Sequence, residues 1–167
     1  MKMKTPDPSS PQNFFGTTEF RLQELFSDWG IETYRVHQVF TWVYHYHCRD
    51  FNEMTNLSKS LRSRLAENFY FALPKIQSRT QSKDGSIKYL FKLDDEAVVE
   101  SVWMPSNSRN TLCLSTQVGC RLNCSFCLTA SLGLKRNLTA GEIIGQHIAI
   151  NGELEEKDQI TNIVFMG

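Results

Sequence analysis

Apolar residues in the first part of the chain recur with a helical period. From Thr18, the positions Leu22, Leu25, Phe26 and Trp29 fall at i, i+3, i+4 and i+7, and Gly30 follows as a stop, which predicts a short amphipathic helix. A second helix is predicted from about Tyr34 to Cys48, with Val36, Val39, Phe40 and Val43 on one stripe. A third, from about Leu57 to Phe71, carries Leu57, Leu61, Leu65 and Phe69 at i, i+4, i+8 and i+12 and stops before Pro74. Residues 13–75 thus read as a small domain of three helices, too small to be very stable alone. Ahead of it, residues 1–12 hold Pro6, Pro8, Pro11 and Ser9-Ser10 and read as a flexible tail.

After Pro74 the period shortens to that of strands. Ser82-Lys83-Asp84-Gly85 is a turn before Ile87–Leu93, and Asp94-Asp95 is a turn before Ala97–Met104, so residues 76–110 read as a β-hairpin extension. Thr111–Thr116 is the next strand. Leu112 and Leu114 share one of its faces and Thr111, Cys113 and Ser115 the other, which suits a strand with helices outside and a site inside. Thr139-Ala140-Gly141-Glu142 fits a capping box, followed by Ala140, Ile143, Ile144, His147 and Ile148 at helical spacing, and Asn151-Gly152 ends that helix. Ile160–Met166 is a nearly continuous apolar run, as expected of a parallel strand covered on both faces. Residues 111–167 therefore form one strand–helix–strand unit. Such a unit cannot bury both faces of its sheet, and the expectation is a piece truncated from a longer chain.

Composition narrows the class without naming a function. The 167 residues carry 18 basic and 18 acidic side chains and are 41% apolar, which excludes a disordered tail or a histone-like basic binder. No apolar stretch is long enough for a membrane span, and Met1 to Pro11 lacks the apolar core of a signal peptide, so a cytoplasmic location is expected. Five cysteines in a reducing compartment point to metal ligands or catalytic thiols rather than a disulfide framework. Only residues 117–139 are one-signed in the basic sense, with Arg121, Lys135 and Arg136 around the densest cysteine run and no acid. By themselves three such charges describe a solvated loop as well as a nucleic-acid contact.

That run, Cys120-x3-Cys124-x2-Cys127, is the sharpest chemical feature. Three thiolates within eight residues can wrap one metal centre. Structural zinc normally takes four ligands, and the fourth is missing here unless Cys113, Cys48 or His147 supplies it. An iron–sulfur cubane also normally takes four cysteines; with three, one iron stays open for a substrate or cofactor. His45, Tyr46, His47 and Cys48 suggest a second metal site, but helical geometry sets His47 far round from His45, and these read as ordinary surface and boundary residues. Trp42 lies off the apolar stripe of its helix and is a candidate for stacking on a base.

Cys120-x3-Cys124-Ser125-Phe126-Cys127, placed directly after a strand, resembles the radical S-adenosylmethionine enzymes. Thr111-Leu-Cys-Leu-Ser-Thr-Gln-Val-Gly-Cys120, Gly133-Leu-Lys-Arg-Asn-Leu138, Glu142-Ile-Ile-Gly-Gln146 and Ile160-Thr-Asn-Ile-Val-Phe-Met-Gly167 narrow the likeness to the bacterial RNA adenine C2-methyltransferases of the RlmN type. Tyr34-Arg-Val-His-Gln-Val39 resembles their helical accessory domain.

The resemblance implies an α/β fold: an accessory domain, a β-extension and the first βαβ of a partial (βα)6 barrel. It implies a [4Fe-4S] cluster on Cys120, Cys124 and Cys127, S-adenosyl-L-methionine on its open iron, and Phe126 at the cofactor. It implies radical methylation of adenine C2 in 23S rRNA and in tRNA, by way of a methylated cysteine. Cys113 would be the thiol that resolves the protein–RNA bond, Glu100 the proton acceptor, and Arg121, Lys135 and Arg136 contacts to phosphate. An electron donor such as flavodoxin and a monomeric state go with it. The family's glycine–glutamate–proline segment and methyl-carrying cysteine are not in this sequence, so these 167 residues are expected not to methylate RNA by themselves. An adenine C8-methyltransferase and a zinc-stabilised RNA-binding module remain as alternatives.

Overall fold

The computed structural model describes residues 10–122, 124, 125 and 127–166. The chain divides into two compact units, Met1–Ala72 and Leu73–Gly167.

The first unit holds α1 (Glu19–Asp28), α2 (Tyr34–Phe40) and α3 (Lys59–Asn68), as the apolar periodicity predicts. Thr18 caps α1 by accepting from the Arg21 amide, Ser58 caps α3 by accepting from the Leu61 amide, and Gly30 turns the chain after α1 with a φ of 68°. Phe14 is the hub of the core. It is fully buried, with the rings of Phe40, Phe51, Phe69 and Phe71 at centroid distances of 5.5–5.9 Å.

Both later helices are shorter than their patterns. α2 gives way to a wider turn over Thr41–His45, where the Thr41 hydroxyl donates to the His37 carbonyl, and a positive φ at His47 ends it. α3 stops at Asn68 because Phe69–Tyr70 (β2) extends to pair in parallel with Gln12–Asn13 (β1). That pairing, with the Asn13 side chain bonded to both the amide and the carbonyl of Ala72, makes Gln12 part of the fold rather than of a tail. Residues 1–9 lie outside the described residues. Trp42 is half-buried and its indole donates to the Asn56 carboxamide at 2.6 Å.

The second unit is built on one five-stranded sheet of order β3-β4-β5-β6-β9, with β3 Lys75–Gln81, β4 Ile87–Lys92, β5 Val98–Met104, β6 Thr111–Ser115 and β9 Asn162–Met166. The first four pair antiparallel, and β9 joins β6 in parallel. The hairpin of 76–110 and the strand–helix–strand of 111–167 therefore share a sheet. Alternation puts Tyr89, Phe91, Val99, Trp103, Leu112 and Leu114 on one face, buried with Ile150 of the helix α5 (Ala140–Asn151). The expected cover on both faces of β9 is not found. β9 is the edge strand among the described residues, and Ile163, Val164 and Phe165 are 40%, 46% and 64% exposed. No helix among the described residues is long and apolar enough to cross a membrane.

Between β6 and α5 the chain makes the cysteine loop, closed at its base by β7 (Gln117–Val118) against β8 (Arg136–Asn137). Inside that closure Gly119 has a φ of 74°, and a Cβ there would lie 1.8 Å from the Gly133 carbonyl oxygen. The predicted capping box is present: Thr139 accepts from the Glu142 amide, and Glu142 accepts from the Thr139 amide. Arg136 adds a bidentate pair to Glu142 at 2.8 and 2.9 Å and a bond from Nε to Asp95 at 2.8 Å, tying loop base, helix start and hairpin turn together. Burial pushes the Glu142 carboxyl up, but the bonds from Arg136 and Thr139 outweigh it and hold it below its ordinary value. Asp95 is lowered chiefly by its bond from Arg136, and Arg136 itself is raised by both carboxylates.

Because both carboxyls are depressed on folding, their contribution is present above the ordinary carboxylate range and is lost as pH falls through the folded values. Glu142→Ala is expected to cost about 1–2 kcal/mol near neutral pH in urea unfolding, with the gap from wild type shrinking as the pH is lowered below about 4. An unchanged gap across that range would show that the ion pair is not its source. Gly119→Ala should destabilise by more than about 1 kcal/mol, since both the positive φ and the Gly133 carbonyl oppose a Cβ; equal unfolding midpoints would refute the close approach.

Candidate functional site

The sheet face opposite the core carries the polar chemistry. In register, Val102 of β5 faces Cys113 of β6, and Met104 faces Thr111, so Glu100, Val102 and Met104 lie on the same face as Thr111, Cys113 and Ser115. Glu100 and Cys113 are therefore at diagonal positions on adjacent strands. On its other edge Cys113 is paired with Val164. The thiol is half-buried between valines, and burial pushes it above its ordinary value, so it stays protonated near neutral pH. Glu100 is exposed and ion-paired to Lys88 of β4 at 3.1 Å. The Ser115 hydroxyl donates to the Glu100 carbonyl at 2.6 Å, fixing the backbone from which that carboxylate projects.

β6 runs directly into the cysteine loop. Cys120 is buried and its Sγ accepts from the Leu122 amide at 3.5 Å, while Cys124 and Cys127 are half-buried and joined by a bond from the Cys127 amide to the Cys124 carbonyl at 3.1 Å. A short helix, α4 (Leu128–Ser131), follows. Leu122, Leu128 and Leu132 give the loop an exposed apolar rim. The three cysteines share one tethered loop and form no disulfide, and an amide already points at one sulfur, so the donor set fits an iron–sulfur or other thiophilic centre. Among the described residues no three donors are gathered closely enough to hold a metal. Phe126 lies outside the described residues.

Of the three cations singled out in the sequence, Arg121 and Lys135 are exposed at the loop. Arg136 is placed differently: its guanidinium is ion-paired with Glu142 and Asp95 and ties the base of the loop.

Two further residues shape the site. Lys88 pairs with Glu100 through the β4–β5 register, a long-range relation with no local signal. Gln146 is fully buried on α5, and its carboxamide bonds to Ser101 and to the backbone of Ser115. Its spacing of four from Glu142 and from Ile150 was the available signal, masked by its polarity.

The family described as "Ribosomal RNA large subunit methyltransferase N-terminal domain" matches residues 12–71. A protein named dual-specificity RNA methyltransferase RlmN from Alkalilimnicola ehrlichii is 46% identical over 147 residues, covering 87% of this chain and 41% of that protein. One of the same name from Paracoccus denitrificans is 43% identical over 178 positions, covering 98% and 45%. The crystal structure of a radical SAM methyltransferase from Sphaerobacter thermophilus superposes with a TM-score of 0.75 at 38% identity, covering 92% of this chain and 46% of that one. The chain spans less than half the length of these relatives. By sequence and by fold the chain belongs to the RlmN family, and it corresponds to the N-terminal portion of that family's proteins.

Proposed function

We propose that the protein of which these residues are part is a radical S-adenosylmethionine methyltransferase that modifies adenine C2 in 23S rRNA and in tRNA. The observation that carries the reading is the shared sheet face of Cys113 and Glu100 on paired strands, the one carrying Cys113 leading straight into the three-cysteine loop. The relatives' names give the RNA methyltransferase class; C2, the individual RNAs and the partial (βα)6 barrel belong to this proposal.

In this reading Cys120, Cys124 and Cys127 hold a [4Fe-4S] cluster, and Phe126 lies against the cofactor. Bound there with S-adenosyl-L-methionine, the cluster supplies the one-electron chemistry needed at a carbon that has no nucleophilicity of its own. Glu100 accepts the proton that adenine C2 must lose before the ring regains aromaticity. Its pair with Lys88 keeps the carboxylate oriented on the open face while leaving it exposed to the base. Cys113, protonated at rest, resolves the protein–RNA bond: its sulfur bonds to the bridging sulfur as the sulfur–carbon bond to the base breaks, and the freed electron pair and the thiol proton go to the methylene carbon, which leaves as the methyl group of the RNA. Arg121 and Lys135 meet the phosphates of the approaching RNA; Arg136 holds the base of their loop. A small electron donor such as flavodoxin, a monomeric chain and the cytoplasm complete the reading.

The first test is iron, acid-labile sulfide and zinc content after anaerobic reconstitution. About four irons with matching sulfide are expected, and their loss in Cys124→Ala. Zinc without sulfide would replace the enzyme with a metal-stabilised binding module. In the full-length protein, Cys113→Ala should accumulate a covalent protein–RNA adduct visible as a slow band on denaturing gels. Ordinary release of methylated RNA from that variant would remove Cys113 from the role.

A further inference from the structure

The carboxamide of Gln146 is fully buried and makes four hydrogen bonds. Its oxygen accepts from the Ser101 hydroxyl at 2.7 Å and the Ser115 amide at 3.2 Å; its nitrogen donates to the Ser115 carbonyl at 3.0 Å and the Glu142 carbonyl at 3.1 Å. This happens where the sheet parts. The β5–β6 register runs from Met104↔Thr111 to Val102↔Cys113 and goes no further, so the backbone of Ser115 is not paired with β5 and only its hydroxyl reaches across, to the Glu100 carbonyl. Gln146 takes that place with the donor and acceptor of a peptide group. On β6's other edge the ladder continues, with the Thr116 amide bonded to the Met166 carbonyl.

Three side chains converge on that point. Ser101 of β5 reaches the carboxamide oxygen, Ser115 of β6 is held by both backbone groups, and the Ser115 hydroxyl reaches back to the carbonyl of Glu100. One polar side chain from the helix thereby sets how far β5 and β6 separate just beyond Cys113 and just before the cysteine loop begins.

We infer that Gln146 is a positioning residue: acting through Ser115, it fixes the Cys113 thiol relative to the Glu100 backbone and sets the point from which the cysteine loop departs. The catalytic part of this inference rests on the function proposed above. A glutamine buried only as filling would serve equally well as an apolar side chain of the same shape. A glutamine that stands in for a strand would not, because two backbone groups of Ser115 lose their partners and the strand end is released.

The test compares the holoenzyme with Gln146→Met, which keeps the shape without the bonds, and with Ser115→Ala, which cuts only the link to Glu100. Each is measured for iron content, kcat and KM on RNA, and the pH profile of iodoacetamide alkylation at Cys113, read on its peptide by mass spectrometry. For Gln146→Met, kcat per iron should fall about tenfold or more while KM stays within about twofold. Its Cys113 alkylation profile should move to lower pH as the strand end opens to water, with a rate at neutral pH about threefold or more above wild type. Ser115→Ala should lower kcat per iron several-fold with an unchanged melting temperature.

A Gln146→Met protein that only melts earlier, with kcat per iron and the alkylation profile unmoved, would overturn the inference. Should Gln146→Met fail to fold, Ser115→Ala decides, and wild-type kcat there would overturn it. Should the wild-type holoenzyme methylate no RNA, the proposed reaction is wrong, and the alkylation profile alone settles the positioning role: a shift upholds it and a fixed profile overturns it.

Discussion

Strand β6 is paired on both edges, antiparallel to β5 and parallel to β9, while Leu112 and Leu114 on one face are sealed in the core and Cys113 on the other looks away from it. The two leucines hold its face by hydrophobic burial, the flanking ladders hold its height, and Gln146 holds its end where the antiparallel ladder gives out. A thiol placed at the centre of so constrained a strand has one position. The cysteines that follow are of the opposite kind, since they sit not on a strand but on a loop whose ends are fixed by the β7–β8 ladder.

That contrast suits a site that must both hold and accept. Fixed ends cut the conformational entropy of closing the loop around a metal, because the search is confined to the residues between the two glycines. Burial of Cys120 and the amide directed at its sulfur begin the organisation on one side. The Arg136 pairs keep the base of the loop attached to the helix start, so that base is held by an ionic tie as well as a backbone ladder.

Much of this was legible in the residues because it is local. The capping box at Thr139 and the stops at Gly30 and Gly152 are short-range chemistry, and the two faces of Thr111–Ser115 follow from alternation. What escaped was made by distant partners. α3 looks apolar through Phe69, yet pairing with Gln12–Asn13 turns its end into a strand. β3, whose residues are nearly all polar, is a strand only because β4 lies beside it. Arg136 read as a free cation since Asp95 stands 41 residues away, and Gln146 read only as the end of a family motif, since a polar residue on a buried helix face contradicts the pattern that would have marked its burial. The apolar run of β9 signalled a covered strand, but coverage depends on neighbours that the run itself cannot supply.

β9 has a further meaning for the behaviour of the chain in solution. Its outer edge carries backbone donors and acceptors with no strand beside them among the described residues, next to exposed Ile163, Val164 and Phe165 and with no charged residue or proline between Asn162 and Met166. An apolar edge of this composition is a template: a second extended segment can add to it and gain a full ladder along with burial of three large side chains. The same groups that make β9 a strand of this sheet are therefore equally suited to receive another.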